Sequence, residues 1–137
     1  MELLDKTIRV IVDAYPATQG VYLFGSFGTE DERQDSDVDI ALLLPPMQSR
    51  QEQDLQTSPC RASLVRLLRR DVDLINARLV STVFQKEIIA NGRLIYCADQ
   101  YAVEEFEMIV LSLYQTLNEE RREILDSFAA DGRAYNL

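Results

Sequence analysis

The sequence predicts an α+β (mixed α/β) domain in which a mixed sheet of about four strands is packed by helices and a long helix closes the chain. Short apolar runs bounded by glycine or proline alternate with stretches whose apolar residues recur at helical spacing. Their order is helix, strand, strand, helix, strand, helix, strand, helix. The length of 137 residues suits one core, so we expect a single domain at 1–137, with its core at 3–98 and a C-terminal helix at 99–130.

The first half of the chain contains one predicted helix and two predicted strands. Residues 3–15 place apolar side chains on one helical face, and Pro16 ends that helix. The runs VYLF at 21–24 and DVDIALLL at 37–44 predict buried strands, the second of which is stopped by two prolines.

The second half continues the alternation. We expect, in order, a polar loop or irregular helix start at 47–58, a helix at 60–70, a strand at 72–76, a helix at 81–92, a strand at 93–98 and a long helical pattern at 99–128. Ser81 fits an N-cap and Gly92 a helix stop. The last helix is long for this domain, so most of its apolar stripe is expected to pack on the core and the surplus to offer a partner surface.

The composition excludes several functions. A net charge of −9 disfavours nucleic-acid binding and favours a cation or a basic protein partner. Because the chain has no histidine, a Ser-His-Asp or Cys-His nucleophile system and a His-based metal site are ruled out. The cysteines Cys60 and Cys97 make no disulfide framework and are expected to be packed thiols in a reducing cytoplasm. No membrane span or signal-peptide pattern is predicted.

Two aspartates begin the second predicted strand. Asp37 and Asp39 are two residues apart, so their side chains point to the same face of the strand. Two carboxylates about 5 Å apart repel by roughly 3 kcal/mol at an effective dielectric of about 20. A solvated strand start is the bland alternative, but a divalent cation would turn the repulsion into binding. Hard oxygen ligands beside substrate phosphates suit Mg²⁺.

A glycine-serine turn precedes this pair and a third aspartate follows it. After a strand, Gly25 lets a phosphate approach the backbone, and the Ser26 hydroxyl adds a donor. In the third strand, Asp73 lies between two apolar residues and is our choice for the third carboxylate, whereas Asp71 is expected to be a turn residue. A phosphate cradle beside a carboxylate pair is typical of phosphoryl or nucleotidyl transfer. The spacing fits neither an EF-hand loop nor a Walker loop.

These motifs resemble a known family. Gly25-Ser26, ten residues and then Asp-Val-Asp at 37–39, followed by VDLI with Asp73, resembles the polymerase β-like nucleotidyltransferase superfamily. The short chain is similar to its minimal nucleotidyltransferases, the MntA-type antitoxins paired with HEPN-domain toxins. The resemblance covers roughly 3–98 and, more loosely, the final helix.

The resemblance implies a role for each motif residue. Gly25 and Ser26 would hold the nucleotide phosphates, Asp37 and Asp39 would bind Mg²⁺, and Asp73 would help to bind the metal or act as base. The implied reaction moves AMP from ATP to a tyrosine hydroxyl of a HEPN toxin, an RNase that the modification silences. The implied assembly is a hetero-oligomer with that toxin.

Two alternatives stay open at this point. The family usually has an Ala-Arg-Gly-like run after the Gly-Ser pair, where this chain has Gly28-Thr29-Glu30. A weakened site would fit an antitoxin that inhibits by stoichiometric contact. The other alternative is a small-molecule nucleotidyltransferase of the aminoglycoside-modifying kind, whose polycationic acceptor an acidic surface would attract.

Overall fold

The computed structural model describes residues 2–25 and 37–131, and the side chains of this part up to 127. Its elements are α1 (Glu2–Ala14), β1 (Gly20–Phe24), β2 (Val38–Leu43), α2 (Pro46–Gln51), a 3-10 turn (Leu55–Thr57), α3 (Pro59–Leu68), β3 (Val72–Asn76), α4 (Thr82–Asn91), β4 (Arg93–Cys97) and α5 (Gln100–Asp131). The predicted α+β class is confirmed, and each predicted helix and strand of the described residues is present.

The four strands form one mixed sheet in the order β3-β2-β1-β4. β1 pairs antiparallel with both β2 and β4, whereas β2 and β3 are parallel. The parallel pair requires a crossover, which α2, the 3-10 turn and α3 supply. β2 therefore lies between β3 and β1, and after Asp39 its side chains are buried on both faces.

One face of the sheet packs against α1 and α3. Alternate strand residues meet the two helices in a core that includes Ile11, Ile40, Leu64 and Val72, each fully buried. The opposite face packs against α4 and the first half of α5, through a second core that includes Phe106. Because helices cover both faces of the sheet, alternate side chains of β2 pack into two separate cores.

The segment at 47–58, predicted as a loop or an irregular helix start, contains most of the short helix α2 and the 3-10 turn. Pro46 occupies the first turn of α2, where the missing N–H of proline costs no helical hydrogen bond. The side chain of Asn76, at the end of β3, donates to the backbone oxygens of Ser49 and Glu52 at 3.0 Å, and Ser49 Oγ donates to Asn76 Oδ1 at 2.8 Å. This buried network lies between distant parts of the chain, which a local pattern could not reveal.

The helix ends follow the capping chemistry of the sequence. Ser58 and Ser81 accept hydrogen bonds from the N–H of Arg61 and Phe84, so both serines are N-caps. Gly92 ends α4 as predicted, although its backbone is extended rather than left-handed. A Cβ at Gly92 would clash with the carbonyl oxygen of Ile88.

The two cysteines differ in burial. Cys60 is buried in the α1/α3 core, as expected of a packed thiol, and burial raises its pKa to about 11. The prediction that Cys97 is packed is wrong, since its side chain is exposed at the end of the edge strand β4. Within the described residues, no helix combines the length and apolarity that crossing a bilayer requires.

Candidate active site

The parallel pairing of β2 and β3 brings two of the predicted carboxylates together. Asp39 and Asp73 are register partners. Their neighbours Val38 and Val72 point into the α1/α3 core, so the two aspartates share the opposite face. Asp37 lies just before β2 and is exposed, two residues from Asp39. The structure therefore places all three aspartates at one end of the sheet.

Asp39 and Asp73 are paired across β2 and β3, and their carboxyl groups interact electrostatically. Burial, as the largest cause, together with the interaction with Asp73 and the charges of Asp73 and Asp37, raises the pKa of Asp39 to about 6. Without a counterion, the neighbouring negative charges disfavour the ionised form of Asp39. The pair is therefore a site that gains from a cation.

Gly25 lies directly against this pair. Its neighbour Phe24 is the register partner of Asp39, so the chain leaves β1 beside the carboxylate. Gly25 has φ +86°, which favours glycine, and a Cβ there would lie 2.6 Å from Asp39 Oδ2. The glycine predicted for phosphate approach is thus also required for the position of Asp39. Ser26, with Gly28-Thr29-Glu30, lies outside the described residues.

The helix-to-strand turn contains Asp71, which the sequence assigned to a turn. Its side chain is exposed, and its carbonyl oxygen accepts a hydrogen bond from the Val38 N–H at 2.9 Å. This bond extends the β2/β3 pairing by one residue toward the aspartates. Asp73, with intermediate exposure, is in the more buried setting, as predicted.

Gln56, in the 3-10 turn, also contacts the site. Its Nε2 donates to Asp73 Oδ1 at 3.1 Å, and its Oε1 accepts from the Leu74 N–H at 2.8 Å. The sequence did not point to this residue, because the segment around it was expected to be a loop or an irregular helix start and a glutamine there carries no spacing signal.

The oxygen atoms at this end of the sheet can be compared with the ligands that Mg²⁺ prefers. Among residues 2–25 and 37–131, no three acidic or cysteine side chains converge tightly enough to enclose a metal ion. Mg²⁺ does not need such a cage, since it commonly takes one or two carboxylates, several waters and substrate phosphates. The close Asp39–Asp73 pair, with Asp37 beside it and the open backbone at Gly25, fits that mode of binding.

The first half of α5 packs on the sheet, and the second half extends away from it. Ala102, Val103, Phe106 and Val110 are buried. The exposed apolar residues among the described side chains of α5 are Tyr101, Met108, Ile109, Leu111, Leu113, Leu117, Ile124 and Leu125, of which the last three lie in its second half. The prediction that this helix exceeds the needs of the core is confirmed.

The fold and the carboxylate site define a nucleotidyltransferase. The polymerase beta nucleotidyltransferase family model matches residues 6–101. The chain belongs to this family, and the predicted resemblance is confirmed. It is 31% identical over 130 residues to the protein adenylyltransferase MntA of Shewanella oneidensis, covering 95% of this chain and 90% of that protein.

Solved structures agree in fold. A toxin-antitoxin crystal structure with AMP-PNP contains a chain of TM-score 0.69 and 30% identity, and the match covers 92% of this chain and 98% of that one. A complex of the tri-AMPylated Shewanella oneidensis HEPN toxin with its MNT antitoxin matches with TM-score 0.65 and 29% identity, over 93% of this chain and 96% of the other. These matches include the α5 region, which lies beyond the family model.

Proposed function

We propose that this chain is a Mg²⁺-dependent protein adenylyltransferase that transfers AMP from ATP to a tyrosine hydroxyl of a HEPN-domain RNase toxin and thereby neutralises it. The observation that carries the proposal is the Asp39–Asp73 pair with Gly25 packed against it. The relatives support a HEPN toxin as the acceptor protein, since one relative is a protein adenylyltransferase and another is solved with an AMPylated HEPN toxin.

In this proposal, each site residue binds the metal, binds the nucleotide phosphates or assists the acceptor hydroxyl. Asp37, Asp39 and Asp73 would hold Mg²⁺, while the backbone at Gly25 and the Ser26 hydroxyl would bind the phosphates. Bound Mg²⁺ would neutralise part of the triphosphate charge and lower the pKa of the acceptor hydroxyl. We assign Asp73 to receive the acceptor proton or to orient the metal.

The proposed reaction balances without a further reactant. The acceptor oxygen attacks the α-phosphorus in line, the bond from that phosphorus to the bridging oxygen breaks, and pyrophosphate leaves with the electron pair. The phenolic proton goes to a carboxylate or to water. Catalysis then consists of positioning and charge stabilisation, which an open site with three acids can supply.

The first experiment follows α-labelled ATP. The protein is incubated with Mg²⁺ and labelled ATP, with and without a HEPN partner, and label on protein is measured. Label on the partner, lost in Asp39→Asn and kept in Asp71→Asn, is expected. Undiminished transfer by Asp39→Asn would refute the mechanism.

A second candidate function is inhibition by stoichiometric contact. The observation in its favour is the set of exposed apolar residues along α5, with Leu117, Ile124 and Leu125 on its outer half, which offers a binding surface that does not depend on the aspartates. The double variant Asp37→Asn, Asp39→Asn separates the two functions. Retained neutralisation of the toxin would favour contact, and lost neutralisation with retained binding would favour catalysis.

A further inference from the structure

The amide side chain of Gln56 joins the backbone of β3 to the carboxylate of Asp73. It accepts from the Leu74 N–H at 2.8 Å and donates to Asp73 Oδ1 at 3.1 Å. We propose that Gln56 is a positioning residue that orients Asp73 for metal binding and transfer. This inference rests on the proposed function of the same site.

The backbone of the 3-10 turn that contains Gln56 is held in place by its neighbouring residues. Leu55, immediately before it, is buried in the α1/α3 core. Ser58, two residues after it, donates through its N–H and its hydroxyl to the Leu55 carbonyl oxygen and caps α3. The turn is therefore anchored on both sides of Gln56, although the glutamine side chain itself is exposed.

The orientation of the amide follows from its partners. β3 is an edge strand, so the Leu74 N–H is satisfied by a side chain in place of a neighbouring strand. A backbone N–H can only donate, so the amide oxygen must face it. The NH₂ group of Gln56 is then necessarily the end that meets Asp73.

A neutral donor suits a carboxylate that must remain available to a cation. Lysine or arginine at this position would offset part of the negative charge of Asp73, and glutamate would repel it. Gln56 contacts one oxygen of Asp73, and Asp39 is the register partner of Asp73 on β2. Outer contacts of this type orient metal ligands, and their loss typically weakens metal binding or activity by about 10–100-fold.

The test compares three variants of the full chain. Gln56→Met keeps the size and neutrality of the side chain and removes both hydrogen bonds. Gln56→Glu keeps an acceptor for the Leu74 N–H and removes the donor to Asp73. Gln53→Glu, an exposed glutamine three residues away, adds the same charge without contacting Asp73 in the described structure.

Two readouts are needed, one of which is independent of transfer. Mn²⁺ binding is titrated by electron paramagnetic resonance, and kcat and KM for ATP are measured by label transfer. Gln56→Met is expected to weaken Mn²⁺ binding about tenfold and to lower kcat about tenfold, with KM for ATP changed less than about threefold. Gln56→Glu should lose kcat similarly, while Gln53→Glu should resemble the wild type.

Several outcomes would overturn the inference. Mn²⁺ affinity and kcat within about twofold of the wild type in Gln56→Met would do so. Wild-type kcat in Gln56→Glu would show that Gln56 only ties the turn to β3, and equal losses in Gln53→Glu would show a general charge effect. If the wild type transfers no label, the proposed function fails, whereas the Mn²⁺ titration still decides the role of Gln56.

Discussion

Replacing Asp39 by asparagine should stabilise the folded protein while abolishing its activity. In the fold, burial and the neighbouring Asp73 raise the pKa of Asp39 from 3.8 to about 6. A carboxyl whose pKa is raised by folding holds its proton more tightly in the folded state than in the unfolded state. Asp39 therefore does not change the free energy of unfolding below pH 3.8, and it lowers that free energy increasingly as the pH rises to about 6.

The magnitude follows from the same pKa. A change of about two pKa units corresponds to about 3 kcal/mol at about 1.4 kcal/mol per unit. Asp39 is only partly buried, and solvent screening reduces the net effect to about 1 kcal/mol. For a chain of this length, about 1 kcal/mol corresponds to about 3 °C in Tm.

The assay is urea denaturation in EDTA between pH 4 and pH 7. The free energy of unfolding of Asp39→Asn minus that of the wild type should rise by about 1 kcal/mol across this range. Mg²⁺ should then stabilise the wild type and not the variant. The matched control is Asp71→Asn, which removes an exposed carboxylate from the same end of the sheet. A difference that is flat or falls with pH would refute the assignment of Asp39 to a strained carboxylate pair.

Three further predictions concern the turn, the helix anchor and the outer helix. Gly25→Ala should lower the free energy of unfolding by about 1–3 kcal/mol, because the added Cβ would meet Asp39 at a residue with a positive φ. The same variant should also lose label transfer. Gly20→Ala, which is remote from the aspartates, should keep its label transfer per folded molecule. Tyr22→Phe should cost about 1.5 kcal/mol in urea denaturation, since it deletes the 2.9 Å hydrogen bond to Glu107 on α5; an unchanged midpoint would argue against that anchor. Leu117→Asp should weaken the HEPN complex at least about tenfold in calorimetry, whereas Asn118→Asp should not; equal affinities would remove the outer half of α5 from the interface.

The local patterns of the chain were sufficient for much of the fold. Helical spacing, proline and glycine stops and serine caps all act within a few residues, and these segments appear where they were predicted. The i, i+2 alternation was enough to assign Asp39 to the face opposite Val38. The division into a core at 3–98 and a helix at 99–130 remains a prediction.

The tertiary structure decided which of these segments contact each other. Asp39 and Asp73 are 34 positions apart, and only the parallel register of β2 and β3 makes them neighbours. The roles of Gln56 and Asn76 depend likewise on where the crossover lies against the edge strand, and the exposure of Cys97 depends on β4 being an edge. By itself, the sequence determined which residues form strands and turns and which face of its strand Asp39 occupies, because those preferences are local. Strand order, register and the contacts of the crossover arise from non-local packing, so only the folded chain could decide them.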